Sequence, residues 1–125
     1  MVGIGVIGYG YWGPNLVRNL ASLATADLRV VCDRAADRLQ QVGRLYPGVA
    51  LVDSVADVLQ RSDVDAVVVA TPADGHFDLA RRVLESGRSV FVEKPLARSA
   101  AECEELIELA ARKNLVLMVG HTFEY

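Results

Sequence analysis

VGIGVIGYGYWG, residues 2–13, decides the fold. Residues 2–8 form a short apolar run stopped by glycine, and from Trp12 to Leu23 the positions Leu16, Leu20 and Leu23 recur at helical spacing. The order is therefore strand, tight turn, helix. Outward from this unit the same alternation repeats. LRVVC (28–32) is β-branched and apolar, and residues 35–46 return to helical spacing through Leu39, Val42 and Leu45 until Pro47 and Gly48 stop them. VALV (49–52) is a third strand, and Asp53 or Ser54 caps a helix carrying Val55, Val58 and Leu59.

DAVVVA (65–70) is uniformly apolar, as a central parallel strand covered on both faces must be, and Thr71 and Pro72 end it. His76 to Glu85 reads as a helix with Leu79, Ala80, Val83 and Leu84 inward and Gly87 as its C-cap. RSVFV (88–92) is the fifth strand. Ser99 to Lys113 is the most regular helix, with Ser99 and Glu102 spaced as a capping box and Cys103, Leu106, Ile107 and Ala110 as one apolar stripe. LVLMVG (115–120) is the sixth strand. Strands alternating with helices, joined by right-handed crossovers, give an α/β doubly wound parallel sheet of the Rossmann type, with expected strand order 3-2-1-4-5-6.

The chain has 125 residues, room for one domain with one core, so residues 1–125 are expected to form a single domain. It is 52% apolar and 23% charged with a net charge of −3, which leaves no basic surface for a nucleic-acid backbone. Cys32 and Cys103 are far apart, with no CxxC and no neighbouring histidine, so both are expected to be reduced core or near-core thiols without a metal. No apolar run approaches the length of a membrane span and no leader pattern follows Met1, so a cytoplasmic location and no membrane partner are expected.

Gly8, Gly10 and Gly13 match GxGxxG at a strand-to-helix junction. Gly8 permits the turn, Gly10 lets a pyrophosphate approach the backbone, and Gly13 lets the helix sit close to the strand with its amides facing the anion. Pro14 suits the first helical turn. Asp33 ends the second strand at about the 20-residue spacing of the dinucleotide fingerprint, where a carboxylate accepts from ribose hydroxyls and repels a 2′-phosphate. That favours NAD, while Arg34 and Arg38 keep NADP open. Tyr9, Tyr11 and Trp12 fill the variable positions of the turn, where one or more line the cofactor groove or Trp12 packs under the first helix.

In such a sheet ligands lie outside the carboxyl ends of the strands, so the ends of strands one, four, five and six are expected to share one cleft. Those ends carry His76, the Glu93–Lys94 pair and His121, all capable of proton transfer. GYGYWG, then ATPADGH, then GRSVFVEKPLA, in this order, resembles the nucleotide-binding half of the Gfo/Idh/MocA oxidoreductases. GHTFEY and GYGYWGPNLVRN look most like members acting on nucleotide-linked sugars, such as UDP-N-acetylglucosamine 3-dehydrogenases.

The resemblance implies that Lys94 is the catalytic lysine, contacting the sugar hydroxyl beside the nicotinamide and helping to move its proton. It implies that Glu93 orients that lysine or contacts the nicotinamide side. A cis bond at Pro95 would turn the chain so that Lys94 faces the cleft. Thr71 and Pro72 would lie against the nicotinamide or its ribose, His76 would shape that pocket or cap its helix, and His121 would touch substrate.

Family members continue into a second α/β domain with a DxxxH segment, which this sequence does not contain. The resemblance thus implies the NAD(P)-binding domain of a dehydrogenase for a sugar, nucleotide-sugar or polyol, inactive alone, with exposed apolar surface that promotes self-association. The alternative is a stand-alone NAD(H) sensor, against which the EKP motif argues. Relatives of biliverdin reductase or dihydrodipicolinate reductase also remain open.

Overall fold

The computed structural model describes residues 2–10, 13–93 and 95–120. One parallel six-stranded sheet has the order β3-β2-β1-β4-β5-β6. In chain order the elements are β1 (Val2–Ile7), α1 (Gly13–Ser22), β2 (Ala26–Cys32), α2 (Ala36–Leu45), β3 (Ala50–Val52), α3 (Val55–Leu59), β4 (Ala66–Val69), α4 (His76–Glu85), β5 (Ser89–Glu93), α5 (Ala100–Arg112) and β6 (Leu117–Gly120), with a 3₁₀ turn at Ala73–Gly75 leading into α4. No helix among the described residues is long and apolar enough to cross a membrane.

Side chains alternate across a strand, so an uninterrupted apolar run must be covered on both faces. Val67 and Val69 of β4 pack on one face with Val58 of α3, Val83 and Leu84 of α4 and Leu106 of α5. Val68 turns to the other face, where Val6 of β1 and Val31 of β2 meet Leu16 and Val17 of α1 and Val42 of α2.

Several elements differ from the sequence expectation for local reasons. β2 begins at Ala26, opposite Val2 of β1, and the pairing slips between Ile4 and Gly5, leaving Arg29 out of register. Arg29 is exposed and meets Asp27 at 2.8 Å. β5 begins after Arg88, whose guanidinium instead donates to the carbonyls of Val64 (2.9 Å) and Arg61 (2.5 Å) at the amino edge of the sheet. On α5, Ile107 is 57% exposed, contrary to the expected stripe, and Leu106, Leu109 and Ala110 are buried instead. Those three lie within one helical turn of face, whereas Ile107 is rotated about 100° from Leu106. The Ser99 hydroxyl accepts from the Glu102 amide, but the Glu102 carboxylate accepts from Arg98 rather than from Ser99. Neither Asp53 nor Ser54 caps α3: Ser54 occupies the cap position without a side-chain hydrogen bond.

Both cysteines are free, Cys32 buried and Cys103 half-buried. Burial pushes the Cys32 thiol up to about 11, with the carboxylates of Asp33, Asp53 and Asp57 adding to the effect and Arg34 opposing it. The thiolate is the nucleophile, so brief alkylation of the native protein at neutral pH is expected to modify Cys103 and spare Cys32. Peptide mass spectrometry checks this, and equal labelling would contradict it. Above the ordinary thiol range the unfolded chain gives up the Cys32 proton while the folded chain keeps it. Stability therefore falls as pH rises from about 9 toward 11, a contribution that Cys32→Ala removes.

Candidate dinucleotide cleft

The carboxyl ends of β1, β2, β3 and β4 and the start of α4 open on a cleft of about 970 Å³. Its walls include Gly8, Gly10, Asp33, Arg38, Thr71 and Pro72. The strand order creates it: β1 and β4 are neighbours, yet their following helices go to opposite faces and leave the space between unfilled.

The three glycines are required for different reasons. Gly8 has φ +101°, and an added Cβ would lie 2.9 Å from the backbone carbonyl of Ala70. At Gly13 a Cβ would lie 2.8 Å from the Gly8 carbonyl oxygen. Both contacts are with backbone that cannot yield, so the fold itself demands glycine. At Gly10, among the described residues, a Cβ would meet only the end of the Arg38 side chain, at an ordinary 3.5 Å. The fold would accept a side chain there, and its absence leaves bare backbone facing the cleft. That bare surface fits the close approach of a pyrophosphate.

Asp33 is buried, and its carboxylate ties two turns together. One oxygen accepts from the Tyr9 amide at 2.8 Å and the other from the Ala35 amide at 2.8 Å. The guanidinium of Arg38 approaches the first oxygen at 3.5 Å. Each carboxylate oxygen has a second lone pair, so Asp33 keeps the capacity to accept from ribose hydroxyls. Arg34 also lines the cleft. Tyr9 does not: it is 3% exposed and packs under α1 with Leu16 and Val17, and this burial raises its phenol above the usual range. Of the three aromatic residues of the turn, Tyr9 is thus a core residue and not a groove residue.

Thr71 and Pro72 stand on the cleft wall, and the Thr71 hydroxyl is a buried polar atom with no partner among the described residues. His76 lies behind that wall, 1% exposed. Its Nδ1 is 2.6 Å from the Pro95 carbonyl oxygen and its Nε2 2.7 Å from that of Thr71. It thus joins the loops after β4 and β5 instead of facing the cleft or capping its own helix. Glu93 ends β5 opposite Gly120 of β6 and is buried, while Pro95 is exposed. Neither lines the cleft. Tyr11, Trp12, Lys94 and His121 lie outside the described residues.

Sequence reasoning missed Asp53, Ser54 and Val55 after β3, Asp74 and Asp78 around the start of α4, and Arg82 in its last turn. The signal for the first three was available, since order 3-2-1 places the end of β3 beside Asp33. The second group depends on how the 3₁₀ turn swings α4 over the opening.

Fold and cleft together define a Rossmann-type dinucleotide-binding domain. The sequence profile of the GFO_IDH_MocA family, described as an oxidoreductase family with an NAD-binding Rossmann fold, matches residues 2–121. The chain belongs to this Gfo/Idh/MocA family and is an NAD-binding oxidoreductase domain.

It is 30% identical to an uncharacterized oxidoreductase of Streptococcus pneumoniae serotype 4, over 100% of this chain and 33% of the relative. It is 33% identical to a glycosyl hydrolase family 109 protein of Shewanella sp. strain W3-18-1, over 94% of this chain and 28% of the relative. The chain thus spans about a third or less of these curated relatives. Among solved structures, GenD2 from gentamicin A biosynthesis, in complex with NAD, superposes with TM-score 0.91 at 33% identity, covering 95% of this chain and 34% of GenD2. KijD10, a 3-ketoreductase from Actinomadura kijaniata crystallised with TDP-benzene and NADP, gives TM-score 0.89 at 28% identity, covering 95% of this chain and 38% of that one.

Proposed function

We propose that residues 1–125 are the dinucleotide-binding domain of a longer enzyme that moves hydride between a nicotinamide cofactor and a hydroxyl-bearing carbon of a sugar, nucleotide-sugar or polyol. The observation that carries the reading is the bare backbone at Gly10, between two glycines that the fold itself requires. Gly10, the Asp33 carboxylate and the Arg34–Arg38 pair hold the pyrophosphate and adenosine parts, and Thr71 and Pro72 flank the nicotinamide end. The cofactor supplies the hydride acceptor or donor.

Lys94 holds or delivers the proton of the reacting hydroxyl, a task suited to an ammonium that stabilises a developing alkoxide. His76 keeps the two neighbouring loops together. The sugar class is supported by the 3-ketoreductase and the gentamicin-pathway protein among the similar structures. These enzyme relatives weigh against the stand-alone sensor. The domain alone binds cofactor without turnover, because hydride transfer needs substrate held against the nicotinamide.

A second reading follows the glycosyl hydrolase name of a 33%-identical relative: the same domain serving cleavage of a glycosidic bond. Two measurements test these readings. NADH titration of the domain, followed by thermal shift, is expected to raise its melting temperature, and no response at millimolar cofactor removes the dinucleotide reading. In the longer protein, net dehydrogenation yields NADH in step with oxidised sugar. Release of free sugar without net NADH would favour the second reading.

A further inference from the structure

Both ring nitrogens of His76 face acceptors. Nδ1 is 2.6 Å from the Pro95 carbonyl oxygen and Nε2 is 2.7 Å from that of Thr71. A carbonyl oxygen accepts and cannot donate, and a neutral imidazole has one N–H and one lone pair. A neutral ring in this position therefore satisfies one carbonyl and turns a lone pair toward the other. Only the imidazolium donates to both, and both separations are as short as charge-assisted hydrogen bonds. The ring is 1% exposed, so bulk water offers the bare nitrogen no substitute donor.

The two carbonyls belong to the pieces of chain that flank the proposed reaction centre. Thr71 stands on the cleft wall, and Pro95 follows Lys94 directly in the sequence. Pro95 has no N–H, so its carbonyl is its one backbone hydrogen-bonding group. Residues 95–98 belong to no helix or strand. Among the described residues, His76 fastens this segment at Pro95. At Arg98 the amide donates to the Glu102 carboxylate at 3.0 Å and the guanidinium to the Asp74 carbonyl at 3.4 Å.

Opposing influences act on the charge of the ring. His76 is the first residue of α4, at the positive end of that helix, which disfavours a cation. The two carbonyl dipoles favour one. The charged side chains on the surrounding elements are Asp74 and Asp78, both exposed, on its own turn and helix, and the buried Glu93 at the end of β5. Arg98 lies beyond β5, next to Glu102 of α5.

We propose that the proton on His76 controls the placing of Lys94: the imidazolium ties the Pro95 carbonyl to the Thr71 wall, and the neutral ring lets one of the two go. His76 is thus a positioning residue that acts through Lys94. The role of Lys94 rests on the oxidoreductase reading above, whereas the latch itself does not.

The first measurement is an isotope-edited NMR titration of the 125-residue chain, from about pH 5 to about pH 9, the span in which histidine changes charge. His76 and His121 are the only histidines, and His121→Asn separates their signals. The His76 ring is expected to go from two N–H protons to one, with the carbonyl carbon of Thr71 or Pro95 shifting at the same midpoint. A constant proton count across the range, or a titration that moves neither carbonyl, overturns the latch. The second measurement is single-turnover hydride transfer by the longer protein over the same range. Native transfer is expected to slow as pH rises through the midpoint of the ring. His76→Gln, whose amide offers one nitrogen in place of two, should be about tenfold slower at low pH. It should also lack the step at that midpoint, with NADH affinity little changed. A His76→Gln profile parallel to the native one, or an equal loss of NADH affinity, overturns the positioning role. Absence of NADH binding by the native chain removes the dinucleotide reading, and the latch then stands or falls on the NMR titration.

Discussion

Gly10→Val is expected to leave the melting temperature within a few degrees of the native value and to weaken NADH binding by about 100-fold or more, equivalent to about 2.7 kcal/mol. Among the described residues, the only neighbour a Cβ meets at residue 10 is the end of the flexible Arg38 side chain, which can swing away. The branched side chain then occupies the space through which a pyrophosphate reaches the backbone amides. Gly8→Val is the contrasting case. Its φ of +101° is strained for any β-branched residue, and its Cβ would press on the Ala70 carbonyl at 2.9 Å. Left-handed strain of about 1–2 kcal/mol and overpacking of about 1–3 kcal/mol together approach the whole stability of a small domain. Circular dichroism melts and NADH titrations separate the two variants. Unimpaired NADH binding by folded Gly10→Val would remove the cradle from the site.

The second large effect is expected at Lys94 in the longer protein. Lys94→Met should cut turnover by about 100-fold or more, the range of a lost proton-transfer group, while NADH affinity changes little. The grounds are chemical and positional. Lys94 follows Glu93, the last residue of β5, in a motif whose resemblance implies a catalytic lysine. Methionine keeps the length and apolar stem and removes only the ammonium. Stopped-flow hydride transfer with NADH binding measured in parallel distinguishes the roles. Equal losses of affinity and rate would make Lys94 a cofactor-binding residue instead of a catalytic one.

Much of the site could be read from local chemistry. The GxGxxG spacing located the turn because a tight junction allows no side chain at Gly8 or Gly13, a requirement that acts within a few residues. Asp33 was legible because the fingerprint fixes its distance from that turn. Arg38 was visible only as a nearby charge: its place over Gly10 depends on how α2 is seated against the sheet. Ile107 was misjudged for a related reason. A residue's distance along the chain says little about its direction when a turn or a helix can rotate by one position.

The sequence by itself determined the element order, the sheet class and the glycine-bounded turn, since periodicity, branching and turn chemistry are properties of short segments. Tertiary structure alone decided that Asp33 is buried in the cleft wall against the Tyr9 and Ala35 amides with Arg38 half-exposed beside it, that His76 ties the loops after β4 and β5, and that the end of β3 joins the walls. Those outcomes depend on contacts between segments distant in the chain, where packing and backbone hydrogen bonding choose among directions that local propensity leaves equal.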